Sequence, residues 1–191
     1  MQISLFLVGL APLIIFAILD SLFSLKAGLL GAIVAIAFEI GMSLYFLGEL
    51  DYLTLFNVVL ILVFTAIAWK FNKPEYFKMQ PSIMSAVFGA ILLGSYLIGH
   101  PILAEMVLKY EDQLKKLVEG NPAQAEMFAS GFFYNLLTET CFTLGILLFA
   151  HAALTAYTAY RKGNFAWLLA RFSWYAFMFA AMIWARFRIG I

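Results

Sequence analysis

The sequence predicts an all-α protein, a polytopic transmembrane helical bundle, and three observations lead to this fold class. Hydrophobic residues make up 64% of the 191 positions and charged residues only 12%, about half the charged share of a typical soluble domain. The apolar residues form stretches long enough to cross a bilayer core about 30 Å thick, which takes roughly 20 helical residues. These stretches lack the apolar/polar alternation of β-strands, and a helix satisfies its own backbone polar groups in lipid.

Six stretches qualify as membrane spans. In chain order they cover residues 3–23, 27–47, 53–69, 82–103, 132–154 and 165–186. The third is the shortest and the first is the best candidate for a re-entrant segment, so five spans is the alternative. We expect the first stretch to be retained as a helix, because no basic leader or small-residue cleavage site marks it as a signal peptide. The absence of a linker or an internal repeat predicts a single membrane domain over residues 1–191.

The longest polar break contains a predicted amphipathic helix at about residues 104–119. Apolar residues recur in it at helical spacing, and they are Val107, Tyr110, Leu114, Leu117 and Val118. Charged residues of both signs fill the opposite face, with a favourable pair four residues apart in Glu111 and Lys115. We expect this short helix to lie along the membrane surface or to dock on a partner.

Small and aromatic residues add two weaker patterns. Pairs of small residues four positions apart predict close contacts between membrane helices. The pairs are Gly28 with Ala32, Gly31 with Ala35, Ser85 with Gly89, and Ala181 with Ala185. Tyrosine and tryptophan residues gather at the span ends, which is typical of an interfacial belt. Lysine and arginine residues are nearly balanced between the two sides, so the positive-inside rule predicts no orientation.

Three ionisable side chains fall well inside the predicted spans. At about 1.5 Å per residue from the span centres, Glu39 lies about 3 Å, Glu139 about 6 Å and His100 about 10 Å from the midplane. All three are displaced toward the same side, so they form a candidate intramembrane polar cluster if their helices touch. Paired carboxyls of this kind could carry a proton or a cation, as in a small transporter or channel, which is the alternative function. The preferred interpretation is that each glutamate is protonated and hydrogen-bonded to a neighbouring helix.

Composition and motifs also limit the function classes. A net charge of +1 gives no basic field for nucleic acid, and the lone Cys141 excludes a disulfide framework within the chain. Zinc-protease, dithiol, nucleophile-elbow, dinucleotide-binding and phosphate-loop motifs are absent. We therefore predict no catalytic residue, no cofactor and no metal site. A lipid-modifying membrane enzyme stays as a second alternative to the transporter.

A recognisable motif lies between Leu60 and Leu93, where an apolar run is followed by a polar hinge and a second apolar run. The hinge residues that carry the motif are Glu75, Phe77, Lys78, Gln80 and Pro81. This arrangement resembles the bacterial intracellular septation protein A family, whose hinge is of the type Glu-x-Phe-x-Lys-x-Lys-Pro-Thr. Gln80 stands where a lysine is usual in that family.

The resemblance continues toward both ends of the chain. Tyr157, Trp167 and Arg171 match a tyrosine, a tryptophan and a basic residue of the family at the same mutual spacing. Pro12 and Phe16 resemble the opening apolar run of the family. A tryptophan and asparagines in the fifth span of the family are replaced, and the residues at these places are Cys141, Leu144 and Thr155. The pattern indicates a divergent member.

The resemblance implies a non-enzymatic, multi-pass protein of the bacterial inner membrane that is linked to cell division and envelope maintenance. We expect its partners to be the lipid bilayer and other envelope or division membrane proteins, and the sequence leaves an oligomer open. The residues themselves suggest where contact occurs. Lys70, Lys73 and Lys78, with Tyr76 and Phe77, form a basic and aromatic hinge that suits lipid headgroup phosphates, at about 1 kcal/mol per cation.

Overall fold

A computed structural model of the chain describes residues 2–47, 52–109 and 131–190, and every regular element in these ranges is an α-helix. In chain order the helices are α1 (Gln2–Leu22), α2 (Leu25–Leu47), α3 (Tyr52–Phe71), α4 (Pro74–Lys78), α5 (Gln80–Leu97), α6 (Ile102–Lys109), α7 (Phe132–Arg161), α8 (Asn164–Phe172) and α9 (Trp174–Arg188). The predicted all-α class is confirmed.

Each of the six predicted spans falls largely on helix. Within the described residues, four segments are long and apolar enough to cross a membrane, and they are Leu25–Tyr45, Pro74–Leu97, Phe132–Arg161 and Asn164–Arg188. Two shorter apolar helical segments, Ala11–Leu22 and Val58–Phe71, coincide with the first and third predicted spans. The polytopic helical architecture is therefore confirmed, while the choice between five and six crossings stays a prediction.

Three helix ends differ from the predicted ones for local backbone reasons. α5 ends at Leu97 and not at residue 103, because Gly99 adopts a left-handed φ of 80° and Pro101 cannot donate a helical hydrogen bond. His100 consequently lies in the turn before α6. The last predicted span is divided into α8 and α9 at Ser173. α7 continues to Arg161, since no glycine or proline interrupts it between residue 154 and Gly163.

The predicted amphipathic helix is seen only in its first part. α6 covers Ile102–Lys109 and includes Val107, which is partly buried. The remaining apolar positions of the predicted stripe lie outside the described residues, and they are Tyr110, Leu114, Leu117 and Val118. The extent of the amphipathic helix beyond Lys109 stays a prediction.

The chain forms two compact units, which we call unit 1 and unit 2. Unit 1 comprises Met1–Ser82 and Thr155–Arg171, and unit 2 comprises Ile83–Leu154 and Phe172–Ile191. Each unit has its own buried apolar core, as expected when helices bury apolar faces against one another. The single membrane domain over residues 1–191 stays a prediction.

In unit 1, α1 packs along α2, and small residues allow the helices to approach closely. A Cβ atom at Gly28 would lie 2.9 Å from the Cβ of Asp20 and 3.0 Å from the carbonyl oxygen of Phe16. Ala32 and Ala35, which belong to the small-residue pairs predicted on α2, are also buried. This contact fixes the end of α1 that carries Asp20.

In unit 2, α5 and α7 approach each other through two glycines. A Cβ atom at Gly89 would lie 3.0 Å from the carbonyl oxygen of Gly145, and one at Gly145 would lie 3.0 Å from the backbone nitrogen of Leu93. A buried hydrogen bond of 2.7 Å joins the Ser85 hydroxyl and His151 Nδ1 on the same two helices. Close backbone contact and an interhelical hydrogen bond together are typical of helix packing in membranes.

We predict that Gly89→Ala destabilises the protein whereas Gly94→Ala does not. Both glycines lie on α5, but a Cβ at Gly94 has no neighbour within 4 Å. Alanine favours a helix over glycine by roughly 1 kcal/mol, which should appear at residue 94, whereas overpacking of about 1–3 kcal/mol outweighs it at residue 89. Unfolding of the purified variants in mixed detergent measures the difference, and equal stability of the two variants would contradict the close contact.

Candidate functional site

The hinge between α3 and α4 has a backbone geometry fixed by its sequence. α3 ends in a Schellman motif, in which the N–H of Lys73 donates to the Ala68 carbonyl at 3.1 Å and that of Asn72 to the Trp69 carbonyl at 3.3 Å. Asn72 adopts a left-handed φ of 51°, which asparagine tolerates better than most residues. Lys73 is extended, as a residue before proline prefers, and Pro74 starts α4 where a missing N–H costs nothing.

A second proline shapes the boundary between α4 and α5. Only Met79 separates the two helices, and Pro81 in the first turn of α5 has no N–H to donate to the carbonyl of Phe77 four residues earlier. Phe77 and Lys78 directly precede this boundary, and both side chains are buried. The short helix α4 therefore presents its last two residues to the interior of unit 1.

Aromatic side chains from three helices meet at this point. The ring of Phe77 stacks at a tilt on Phe16 of α1, with centroids 4.1 Å apart, and Trp167 of α8 meets Phe16 edge to face at 6.2 Å. None of the three side chains is exposed. The indole Nε1–H of Trp167 donates a 2.9 Å hydrogen bond to the carbonyl of Lys78, so its only polar atom is satisfied.

The side chain of Lys78 lies beside this aromatic group and is only 8% exposed. Its ammonium Nζ is 4.0 Å from the Oδ2 atom of Asp20. Asn164, the first residue of α8, donates from Nδ2 to the same carboxylate at 2.8 Å and is 2.7 Å from the Ser21 hydroxyl. The Asp20 carboxylate thus has the Lys78 ammonium as its counter-charge and accepts a hydrogen bond from Asn164. A buried ion pair needs both, because it has lost its hydration.

We call this assembly the Lys78 cluster, and its members are Phe16, Asp20, Phe77, Lys78, Asn164 and Trp167. Its ion pair and hydrogen bonds hold α1, α4 and α8 together in unit 1. Sequence reasoning had not assigned Asp20 or Asn164 to any site. The signal that could have found Asp20 is a carboxylate inside an apolar span, which needs a partner of opposite charge.

The structure distributes the other motif residues in different ways. Glu75 is partly buried and lines a surface cleft, whereas Gln80 and Pro81 are buried. Tyr157 is 55% exposed and Arg171 is partly exposed. The residues of the resemblance that lie in one packed group are Phe16, Phe77, Lys78 and Trp167.

The basic surface predicted at the hinge is smaller than the sequence suggested. Lys70 and Lys73 are exposed, and the Lys70 ammonium lies 5.7 Å from the centroid of the Phe71 ring. Lys78 and Phe77 are unavailable to lipid headgroups because the first pairs with Asp20 and the second packs on Phe16. A sequence cannot reveal this division, since all three lysines lie in the same polar break.

Two of the three residues of the predicted intramembrane polar cluster, His100 and Glu139, have partners that the structure identifies. Glu39 is buried on α2 in unit 1. In unit 2, Glu139 Oε2 pairs with Arg188 Nε at 2.9 Å, whereas His100 is 73% exposed and bonds to Glu105 at 2.8 Å. His100 and Glu139 thus have different partners, and a joint role with Glu39 stays a prediction. Across the described ranges, no group of three or more metal-binding side chains is arranged around a common point.

Comparison with known proteins gives one family and one named relative. The model of the family described as intracellular septation protein A matches residues 5–120. The inner membrane-spanning protein YciB of Cronobacter sakazakii is 30% identical over 104 residues, which are 54% of this chain. The chain covers 58% of the length of that relative. No solved structure matches the chain significantly.

We predict that Trp167→Phe destabilises the protein more than Trp69→Phe does. Phenylalanine keeps a ring at residue 167 but leaves the Lys78 carbonyl without its indole donor, at about 1–2 kcal/mol for a buried hydrogen bond. Trp69 belongs to the same unit and is largely exposed, so the same substitution there is a matched control. Chemical unfolding in mixed detergent measures both, and equal losses would argue against the hydrogen bond as a stabilising contact.

We also predict that Asp20 and Lys78 are energetically coupled. Asp20→Asn leaves the buried Lys78 ammonium without its main counter-charge, and Lys78→Met leaves the Asp20 carboxylate without its cation. Each variant should lower the free energy of unfolding by about 3 kcal/mol or more. The double variant removes both charges and should lose less stability than the sum of the single variants, by at least about 1 kcal/mol. Lys70→Met at an exposed site serves as the control. Strict additivity of the two single variants would show that the pair contributes nothing.

Proposed function

Because the chain belongs to the intracellular septation protein A family, we propose that it supports cell division and cell-envelope maintenance without catalysing a reaction. It is a multi-pass inner-membrane protein. In this proposal it acts through contacts with lipid or with other envelope and division membrane proteins, and the exposed side of the hinge between α3 and α4 provides one of the contact surfaces.

The observation that carries the proposal is the family match over residues 5–120, which includes the whole hinge. The structure of the hinge supports a contact role and not a catalytic one. Its interior groups, Phe77 and Lys78, are committed to packing and to an ion pair, whereas Lys70 and Lys73 remain exposed beside aromatic residues. Cations and aromatic rings at a span end are suited to the membrane interface.

The test is complementation of a bacterial strain that lacks its own member of the family. We expect the wild-type chain to restore normal cell length and survival under envelope stress. The double variant Lys70→Gln/Lys73→Gln should restore them only partly at equal abundance in the membrane, because two surface cations are lost. Neutralising two exposed cations away from the hinge, Lys26→Gln/Arg186→Gln, is the matched control. Failure of the inserted wild-type chain to correct division would overturn the proposal.

The same assay separates this proposal from transport through buried carboxyls. A protein that acts through surface contacts should tolerate Glu39→Gln, which keeps the size of the side chain and removes its ability to ionise. Full complementation by Glu39→Gln is therefore expected. Loss of complementation at normal abundance, together with loss of ion or proton flux in vesicles, would instead favour the small transporter.

A further inference from the structure

A surface cleft of unit 1 lies directly beside the Lys78 cluster. It has a volume of about 290 Å³ and is lined by Asn72, Lys73, Pro74, Glu75, Tyr76 and Tyr160. One wall is the Schellman turn and the first turn of α4, whose backbone is fixed by the hydrogen bonds and the proline described above. The Tyr76 ring is held on Phe71, with centroids 5.4 Å apart. The cleft is thus built by ordered segments and not by a loose loop.

Glu75 supplies the negative charge of the cleft. Among the described residues, the Oε2 atom of Glu75 is buried without a hydrogen-bond partner. Both Asp20 and Glu75 act electrostatically on the buried ammonium of Lys78, and Asp20 is the carboxylate that pairs with it. Two carboxylates therefore share one buried cation. An ammonium group bound in the cleft would add a charge of opposite sign beside the Glu75 carboxylate.

The cleft offers three further features that favour a small cation. Tyr76 and Tyr160 present aromatic rings, which attract ammonium groups. α3 ends just before Asn72 and α7 ends just after Tyr160, so the partial negative charges of two helix C-termini lie near the cleft. Lys73 is exposed at the cleft and, within the described residues, forms no ion pair. It is available for an anionic group next to the cation.

We propose that this cleft binds the headgroup of an aminophospholipid, with the primary ammonium beside Glu75 and the two tyrosines and the phosphate beside Lys73. The inference rests on the proposed function for its membrane setting and deepens it by naming the lipid. A headgroup that carries a phosphate and no ammonium would be repelled by the Glu75 carboxylate. A trimethylated headgroup has no N–H to donate to the Glu75 carboxylate. A volume of about 290 Å³ is at the small end of the range for ligand sites, which suits a headgroup and not a whole lipid.

The experiment measures lipid binding to the purified full-length protein by native mass spectrometry. Phosphatidylethanolamine, phosphatidylglycerol and phosphatidylcholine with identical acyl chains are titrated separately. We expect phosphatidylethanolamine to bind roughly fivefold to tenfold more tightly than the other two, which corresponds to one desolvated ammonium contact. Glu75→Gln should abolish this preference, and Lys73→Ala should weaken phosphatidylethanolamine binding by roughly threefold or more. Glu105→Gln and Lys162→Ala, which lie outside the cleft, should change neither value.

The variants at Tyr160 test the aromatic contribution. Tyr160→Phe keeps the ring and should retain the preference for phosphatidylethanolamine, whereas Tyr160→Leu should reduce it by roughly threefold. Equal binding of phosphatidylethanolamine and phosphatidylglycerol, or a preference that persists in Glu75→Gln, would overturn the inference. Because the readout uses purified protein, a flat lipid profile would refute the headgroup site alone, and failed complementation by the wild-type chain would refute the division role alone.

Discussion

The architecture of unit 1 depends on the burial of a single lysine. An ammonium group removed from water loses several kcal/mol of hydration free energy, and Lys78 recovers part of this through the carboxylate of Asp20. The same residue accepts the indole hydrogen bond of Trp167 at its carbonyl oxygen. Side chain and backbone of one residue therefore connect α4 to α1 and to α8. Phe77, the preceding residue, adds the apolar contact with Phe16.

This arrangement explains how one short basic hinge can have two physical roles. The prolines at residues 74 and 81 limit α4 to little more than one turn, and the Schellman turn fixes how the chain enters it. Within that frame Lys78 faces the interior, whereas Lys70 and Lys73 face outward. The interior cation stabilises the unit, and the outward cations are available to molecules at the membrane surface.

The sequence predicted the helices well because a helix in lipid is determined mainly by apolar length. It predicted less well where single residues act on the backbone. Gly99 ends α5 earlier than the apolar run does, and the apolar sequence around Ser173 gives no sign of the division between α8 and α9. The spacing of small residues correctly identified Gly28 and Gly89 as helix-contact positions, because the absence of a side chain lets the neighbouring helix approach closely.

The polar side chains show why a sequence predicts the depth of a residue in the membrane more readily than its interaction partner. Counting residues along a helix gives the distance of Glu139 from a span centre, but it gives no information about which other helix faces it. The observed partner, Arg188, lies just beyond the predicted last span, which ends at residue 186. Asp20 and Lys78 are separated by two further helices in the sequence, so their pairing depends on tertiary packing and not on spacing.

The hinge also limits how this region can diverge among related chains. Each residue added to or removed from a helix turns everything beyond it by about 100°. A one-residue insertion or deletion in α4 ahead of Phe77 would therefore rotate Phe77 and Lys78 away from Phe16 and Asp20. Replacements at the outward positions leave that orientation intact. Homologous chains that keep this packing can therefore differ in the residue types at the outward hinge positions, whereas the number of hinge residues stays constant. An alignment of such chains should need no gaps across the hinge.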